Sequence, residues 1–132
     1  MKTKETEGNN VINEGQLTYK FENLKVWKLS LELNDIIYKI ADQLPDNEKN
    51  NLKIQILRAA TSVCLNITEG STGLSNKEQA RFLAKSLRSL VETIACVQLI
   101  IRRKYLISTG NDIMKFNEHA NQLFVKLNSF IK

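Results

Sequence analysis

Apolar residues recur along this chain at spacings of three and four, the signature of helices with one face turned inward. From Leu24 to Leu44, Val26, Leu29, Leu33, Ile36, Ile37 and Ile40 form one such stripe. Trp27, Leu31 and Tyr38 lie off it at spacings of four and seven, a second apolar patch expected to face another subunit or the N-terminal arm. Pro45 stops this helix, and Asp46 is placed to cap a second one running to Glu69, with Gly70 at its end. The Gly/Ser-rich turn Gly70-Ser71-Thr72-Gly73-Leu74-Ser75 follows, and Ser75-Asn76-Lys77-Glu78 matches the capping box that opens a third helix. That helix is expected from about Asn76 to Lys104, with Ala80, Leu83, Leu87, Leu90, Val91, Ile94 and Ile101 on its inward face. After the turn at Ser108-Thr109-Gly110-Asn111, the stripe Ile113, Phe116, Ala120, Leu123, Phe124, Leu127 and Ile131 marks a fourth. Four amphipathic helices on short connections predict an all-α, antiparallel up-down-up-down four-helix bundle over residues 21–132. Residues 1–20 are polar, without sustained periodicity, and read as a flexible arm.

Composition supports that class. The chain has 132 residues, 42% of them hydrophobic, enough for one domain with its own core. One Pro and five Gly leave too few turns for a sandwich of strands. The longest apolar run, Val97–Ile101, is broken by Gln98 and falls far short of the ~20 residues of a membrane span. The polar start shows no apolar leader segment, so a cytoplasmic location is the default expectation. Cys64 and Cys96 have no C-x-x-C spacing and read as buried, reduced thiols.

The second helix carries a polar line beside its apolar one. At ~100° per residue, Gln55, Arg58, Ser62, Asn66 and Glu69 fall within one narrow arc, next to Ile56, Ala59, Ala60, Val63 and Ile67. Ile54 and Leu65 bound the polar line on its far side. A solvated face would produce such a line. So would a hydrogen-bonded layer between packed helices or subunits, or a ligand site. Whether Arg58 and Glu69 pair within one chain or across two is left open by the spacing.

The net charge of +5 is unevenly placed. From Lys77 to Lys104 there are seven basic residues against two acidic ones, and the remaining 12 and 12 cancel. Lys77, Arg81, Lys85 and Arg88 follow spacings of four, four and three on one side of the third helix, and Arg102, Arg103 and Lys104 close it. A solvated face is one reading. The other is a stripe that tracks nucleic-acid phosphates by displacing counterions, without sequence readout. No aromatic residue interleaves the exposed cations, so stacking on bases is not expected.

Catalytic signatures are missing. The single histidine, His119, and its neighbour Glu118 face different ways, and the paired Glu-x-x-His of a di-iron bundle needs two histidines. Neither a P-loop nor a G-x-G-x-x-G motif occurs. The chain is expected to be no enzyme and to hold no metal or cofactor.

Three segments resemble a known family: Phe21-Glu22-Asn23-Leu24-Lys25-Val26-Trp27, the block from Gln55 to Gly70 with Arg58-Ala59-Ala60 and Asn66-Ile67-x-Glu69-Gly70, and Phe82-Leu83 with Ser89-x-x-Glu92. They are similar to the four-helix-bundle proteins named for intervening sequences in bacterial 23S ribosomal RNA genes, over about residues 21–107. The resemblance implies a homo-oligomer, as pentameric rings are the form of characterised relatives. A related branch, the accessory variability proteins of diversity-generating retroelements, implies nucleic acid and an acidic protein partner such as a reverse transcriptase or ribosomal component. Leu57 stands where the family often has a basic residue, which thins any basic surface there.

Overall fold

A computed structural model of the chain describes residues 10–13, 16–19, 24–72 and 75–131. Its body is four helices: α1 (Lys25–Asp42), α2 (Leu52–Glu69), α3 (Asn76–Arg102) and α4 (Asn111–Ile131). Ahead of them, in the segment expected to be an arm, the short strands β1 (Asn10–Asn13) and β2 (Gln16–Tyr19) pair antiparallel, Asn10 opposite Tyr19. The remainder of that segment lies outside the described residues.

The helices form a closed square. α1 packs on α2 and α4, and α3 packs on the same two. Their directions follow from which residues meet. Between α2 and α3, Gly70 touches Phe82 and Gln79 at one end, Ser62 bonds Ser89 in the middle, and Glu48, just before α2, bonds Tyr105 beyond the far end of α3. Between α1 and α4, Gln43 donates to Asp112 at 2.9 Å, and His119 Nε2 lies 3.0 Å from Glu32 Oε1. Between α1 and α2, Asp42 pairs with Lys53, and the Cys64 thiol donates to the Ser30 carbonyl. In each case the start of one helix meets the end of the other, so neighbours run antiparallel. Among the described residues no helix is long and apolar enough to cross a membrane.

The expected stripe of α1 is the buried one: Val26, Leu29, Leu33, Ile36, Ile37 and Ile40 all face inward. Ile56, Ala59, Ala60, Val63 and Ile67 do the same on α2. Each large side chain so buried contributes roughly 1.5–3 kcal/mol. On α3 the inward face sits a step away from the expectation. Val91 is 49% exposed, and Ser86 and Thr93 take core positions with no exposed surface. They can do so because their hydroxyls are satisfied: Ser86 Oγ donates to the Val63 carbonyl at 2.8 Å and Thr93 Oγ1 to the Ser89 carbonyl at 2.8 Å. The small Ser86 also lets α2 and α3 approach closely. On α4, Phe124 is displaced from the expected stripe and is 38% exposed.

Helix ends show a further departure. Asp46 belongs to a separate 3-10 turn, Asp46–Glu48, and α2 starts only at Leu52. The carboxylate that meets its free amides is Glu48, which accepts from Leu52 N–H at 3.4 Å and from Asn51 Nδ2 at 3.2 Å. Glu48 also accepts the Tyr105 hydroxyl at 2.7 Å, a bond that is the main cause of its carboxyl lying below its ordinary range. The Ser75 cap of α3 forms as expected, its hydroxyl accepting from Glu78 N–H at 3.3 Å. α3 ends at Arg102 rather than Lys104, because Lys104 adopts a left-handed backbone with φ 64°. Both cysteines are buried and unpaired, and burial pushes both thiols up.

Candidate nucleic-acid interface

The groove between α2 and α3 collects most of the residues singled out above. Lys77, Arg81, Lys85 and Arg88 are all exposed along the outer side of α3, as their spacing requires. Among the described residues none of the four has a carboxylate within ion-pair distance. From Lys77 to Arg88 the stripe is ~16 Å long at the helical rise of ~1.5 Å per residue.

One aromatic does lie among these cations, contrary to the sequence expectation. The Arg81 guanidinium is 5.0 Å and the Lys85 ammonium 5.1 Å from the centre of the half-buried Phe82 ring. Phe82 is one residue from Arg81 and three from Lys85, and its half-buried ring lies between them rather than standing free in solvent. Here the ring is a platform beneath the cations, and contacts of this kind are worth roughly 0.5–1 kcal/mol at exposed sites. The base of the Phe82 side chain lies close to Gly70, where an added Cβ would come within 3.3 Å of Phe82 Cβ.

The polar line of α2 divides. Ser62 and Asn66 are half-buried and turn toward α3. Ser89 Oγ donates to Ser62 Oγ at 2.9 Å, and Asn66 Nδ2 donates to the Ser62 hydroxyl at 3.0 Å and carbonyl at 2.9 Å. This is a hydrogen-bonded layer between helices of one chain. Gln55, Arg58 and Glu69 are exposed instead. Arg58 and Glu69 are ~16 Å apart along one helix, and neither forms an ion pair within the chain among the described residues. Ser62, Asn66, Ser89, Lys85, Arg88 and Glu92 together line an open depression of about 280 Å³. Glu92 is the one carboxylate there and offsets part of the positive field.

Arg102, Arg103 and Lys104 are exposed but stand apart from that stripe, Arg102 lying ~21 Å along α3 beyond Arg88. Arg103 sits near enough to Glu48 to help hold its carboxyl down. Sequence position alone placed seven cations on one element; the fold separates them into a stripe of four and a terminal group of three. His119 is away from both, its Nδ1 lying 3.0 Å from the Lys115 carbonyl and its Nε2 against Glu32.

Two other faces of the square carry no comparable charge. Leu31, Tyr38, Ile54 and Leu65 are exposed along α1 and α2, and Val91, Met114, Phe124 and Val125 along α3 and α4. These two surfaces lie on opposite sides of the bundle, given the packing order of the helices.

Residues 22–129 match the 23S rRNA-intervening sequence protein family. Among solved structures three chains match. One is a protein of unknown function from the S23 ribosomal protein family of Bacteroides thetaiotaomicron VPI-5482, 29% identical, with a TM-score of 0.71. The likeness covers 81% of this chain and 98% of that one. No curated protein matches.

Proposed function

Starting from the fact that the chain belongs to the 23S rRNA-intervening sequence protein family, we propose that it is a non-enzymatic homo-oligomer, of five copies as the resemblance implies, that binds nucleic-acid backbones through the α2/α3 face. The observation that carries this reading is the stripe of four exposed cations on α3 without ion-pair partners among the described residues, with Arg58 exposed on the adjacent helix. Cations left unpaired on a surface gain little for the fold, but each one set against a phosphate releases a condensed counterion. The stripe presents its cations in a row along one helix, so binding would follow chiefly charge and shape.

Self-association is supported by two surfaces rich in exposed apolar side chains, each with a charged neighbour, Arg58 beside Leu65 and Glu118 beside Val125. Leu65 and Val125, 58% and 59% exposed, lie on opposite sides of the bundle within patches of other exposed apolar residues. A chain with apolar patches on two opposite sides favours repeated head-to-tail contacts, which close into a ring or extend as a filament. Assembly would repeat the cationic stripe once per subunit and raise the affinity for a long polyanion.

The test is a salt series of binding to duplex DNA, structured RNA and single strands, with particle mass from light scattering in the same buffer. Affinity should fall steeply with salt, with a slope of about 0.9 per phosphate neutralised. The triple variant Arg81→Glu, Lys85→Glu, Arg88→Glu should lose tenfold or more in affinity at unchanged particle mass. A wild-type oligomer that binds no nucleic acid at low salt would defeat the reading and leave a scaffold that docks an acidic protein.

A further inference from the structure

Counted helix by helix, α1 and α4 are electrically neutral. α1 has Lys25, Lys28 and Lys39 against Glu32, Asp35 and Asp42, and α4 has Lys115 and Lys126 against Asp112 and Glu118. Counted by face, they are not neutral. Lys25, Lys28, Glu32 and Lys39 are spaced by three, four and seven and share one side of α1. Lys115, His119, Gln122 and Lys126 are spaced by four, three and four and share one side of α4. The contact of His119 Nε2 with Glu32 Oε1 at 3.0 Å brings these two sides together. Lys25, Lys28, Leu29, Glu32, His119 and Gln122 line the resulting cleft, about 470 Å³ in volume.

The acidic residues are mostly turned elsewhere or engaged. Asp42 pairs with Lys53 of α2 at 3.9 Å, Asp112 accepts from Gln43 at the end of the bundle, and Glu118 lies ~100° around α4 from His119. Glu32 is occupied by the imidazole. Asp35 remains at the edge of the lysine row. None of the five lysines has a carboxylate within ion-pair distance among the described residues.

We infer that this α1/α4 cleft is a second nucleic-acid backbone contact, placed on the opposite side of the bundle from the α2/α3 stripe. The inference rests on the nucleic-acid reading and deepens it: one subunit would hold two separate segments of duplex. From Lys25 to Lys39 the row runs ~21 Å, the rise of about six base pairs. The cations are all lysines, point charges suited to phosphate contacts and poor at reading base edges. A single small anion would be met by convergent donors, whereas these are strung along a groove, which fits an extended polyanion. Opposite placement follows from the packing, since the α2/α3 and α1/α4 grooves share no helix.

The experiment uses the full-length oligomer with two short duplexes, one carrying a donor dye and one an acceptor, and reads energy transfer as bridging beside the affinity for one duplex. The charge-reversed variant Lys25→Glu, Lys28→Glu, Lys115→Glu should lose at least fivefold in bridging signal and no more than about threefold in single-duplex affinity. The neutral variant with Gln at the same three exposed positions should fall between. Light scattering on each variant verifies that the particle mass is kept. Bridging at the wild-type level in both variants overturns the inference while leaving the α2/α3 reading intact. A wild-type protein that binds neither duplex overturns both.

Discussion

Lys104 offers a substitution whose effect can be worked out in advance. α3 closes with two bonds, Lys104 N–H to the Ile101 carbonyl at 2.9 Å and Tyr105 N–H to the Ile100 carbonyl at 3.1 Å. This is the pattern of a helix end terminated by a left-handed residue, a position normally given to glycine. With φ at 64°, Lys104 is the one non-glycine residue of positive φ among the described residues. A side chain in that conformation costs ~1–2 kcal/mol. Glycine would remove that cost but free the unfolded chain, which returns about 0.4–1 kcal/mol. Lys104→Gly should therefore stabilise the bundle by about 0.5–1 kcal/mol, and raise the thermal midpoint by roughly 2–5 °C. Lys104→Ala is the control, since it removes the same charge and keeps the Cβ. The assay is urea unfolding followed by circular dichroism at one protein concentration, because the proposed association would make the midpoint depend on concentration. Equal midpoints for the Gly and Ala variants would refute the reasoning. In nucleic-acid titrations the two should behave alike, because they have lost the same cation.

Gly70→Ala should act in the opposite direction. Its Cβ would meet Phe82 Cβ at 3.3 Å and the carbonyls of Asn66 and Gln79 at 3.4 Å, so α2 and α3 must part, at about 1 kcal/mol; a raised urea midpoint would contradict that contact. The Glu48–Tyr105 bond links stability to pH at both extremes. The Glu48 carboxyl lies below its ordinary 4.5, so its contribution is complete above that pH and is lost as pH falls through the lower folded value. The Tyr105 hydroxyl lies above its ordinary 10.0, chiefly through the bond to Glu48, so its contribution is complete below that pH and is lost as pH rises through the higher folded value. Tyr105→Phe should flatten both limbs of a urea-midpoint profile, and an unchanged profile would show the bond to be idle. Finally, Cys64 and Cys96 are buried with thiols pushed up, so a thiol reagent at neutral pH should label the native protein at least about a hundredfold more slowly than the unfolded chain.

What the chain's pattern reveals depends on how faithfully apolar character reports burial. It does so along α1, where every inward position but Ser30 is aliphatic, and the expected stripe could be read directly. It misleads on α3, where Ser86 and Thr93 occupy the core because they find carbonyl partners. An apolar template skips both and picks up Val91 instead. The Ser62–Ser89 contact was half legible: the polar line on α2 pointed to a layer, but its partner on α3 stood out only in the Ser89-x-x-Glu92 motif and not in any polar line of that helix. Capping by Glu48 was missed because a 3-10 turn shifts the start of α2 beyond the residue after Pro45. The α1/α4 lysines were hidden for a different reason. Their charges cancel along each helix and add up only across two helices far apart in sequence.

The closed square has a consequence for the order in which it forms. Three of its four sides join consecutive helices through connections of a few residues, but the α1/α4 side must be closed across the 68 residues from Gln43 to Gly110. Relative to a nine-residue connection, three doublings of loop length add about 1.8 kcal/mol of closure entropy. The bonds that cross this side, Gln43 to Asp112 and His119 to Glu32, are solvent-exposed and recover little of that cost. The α1/α4 joint is thus expected to close after the three joints between consecutive helices, an order that pulsed hydrogen exchange during refolding would report.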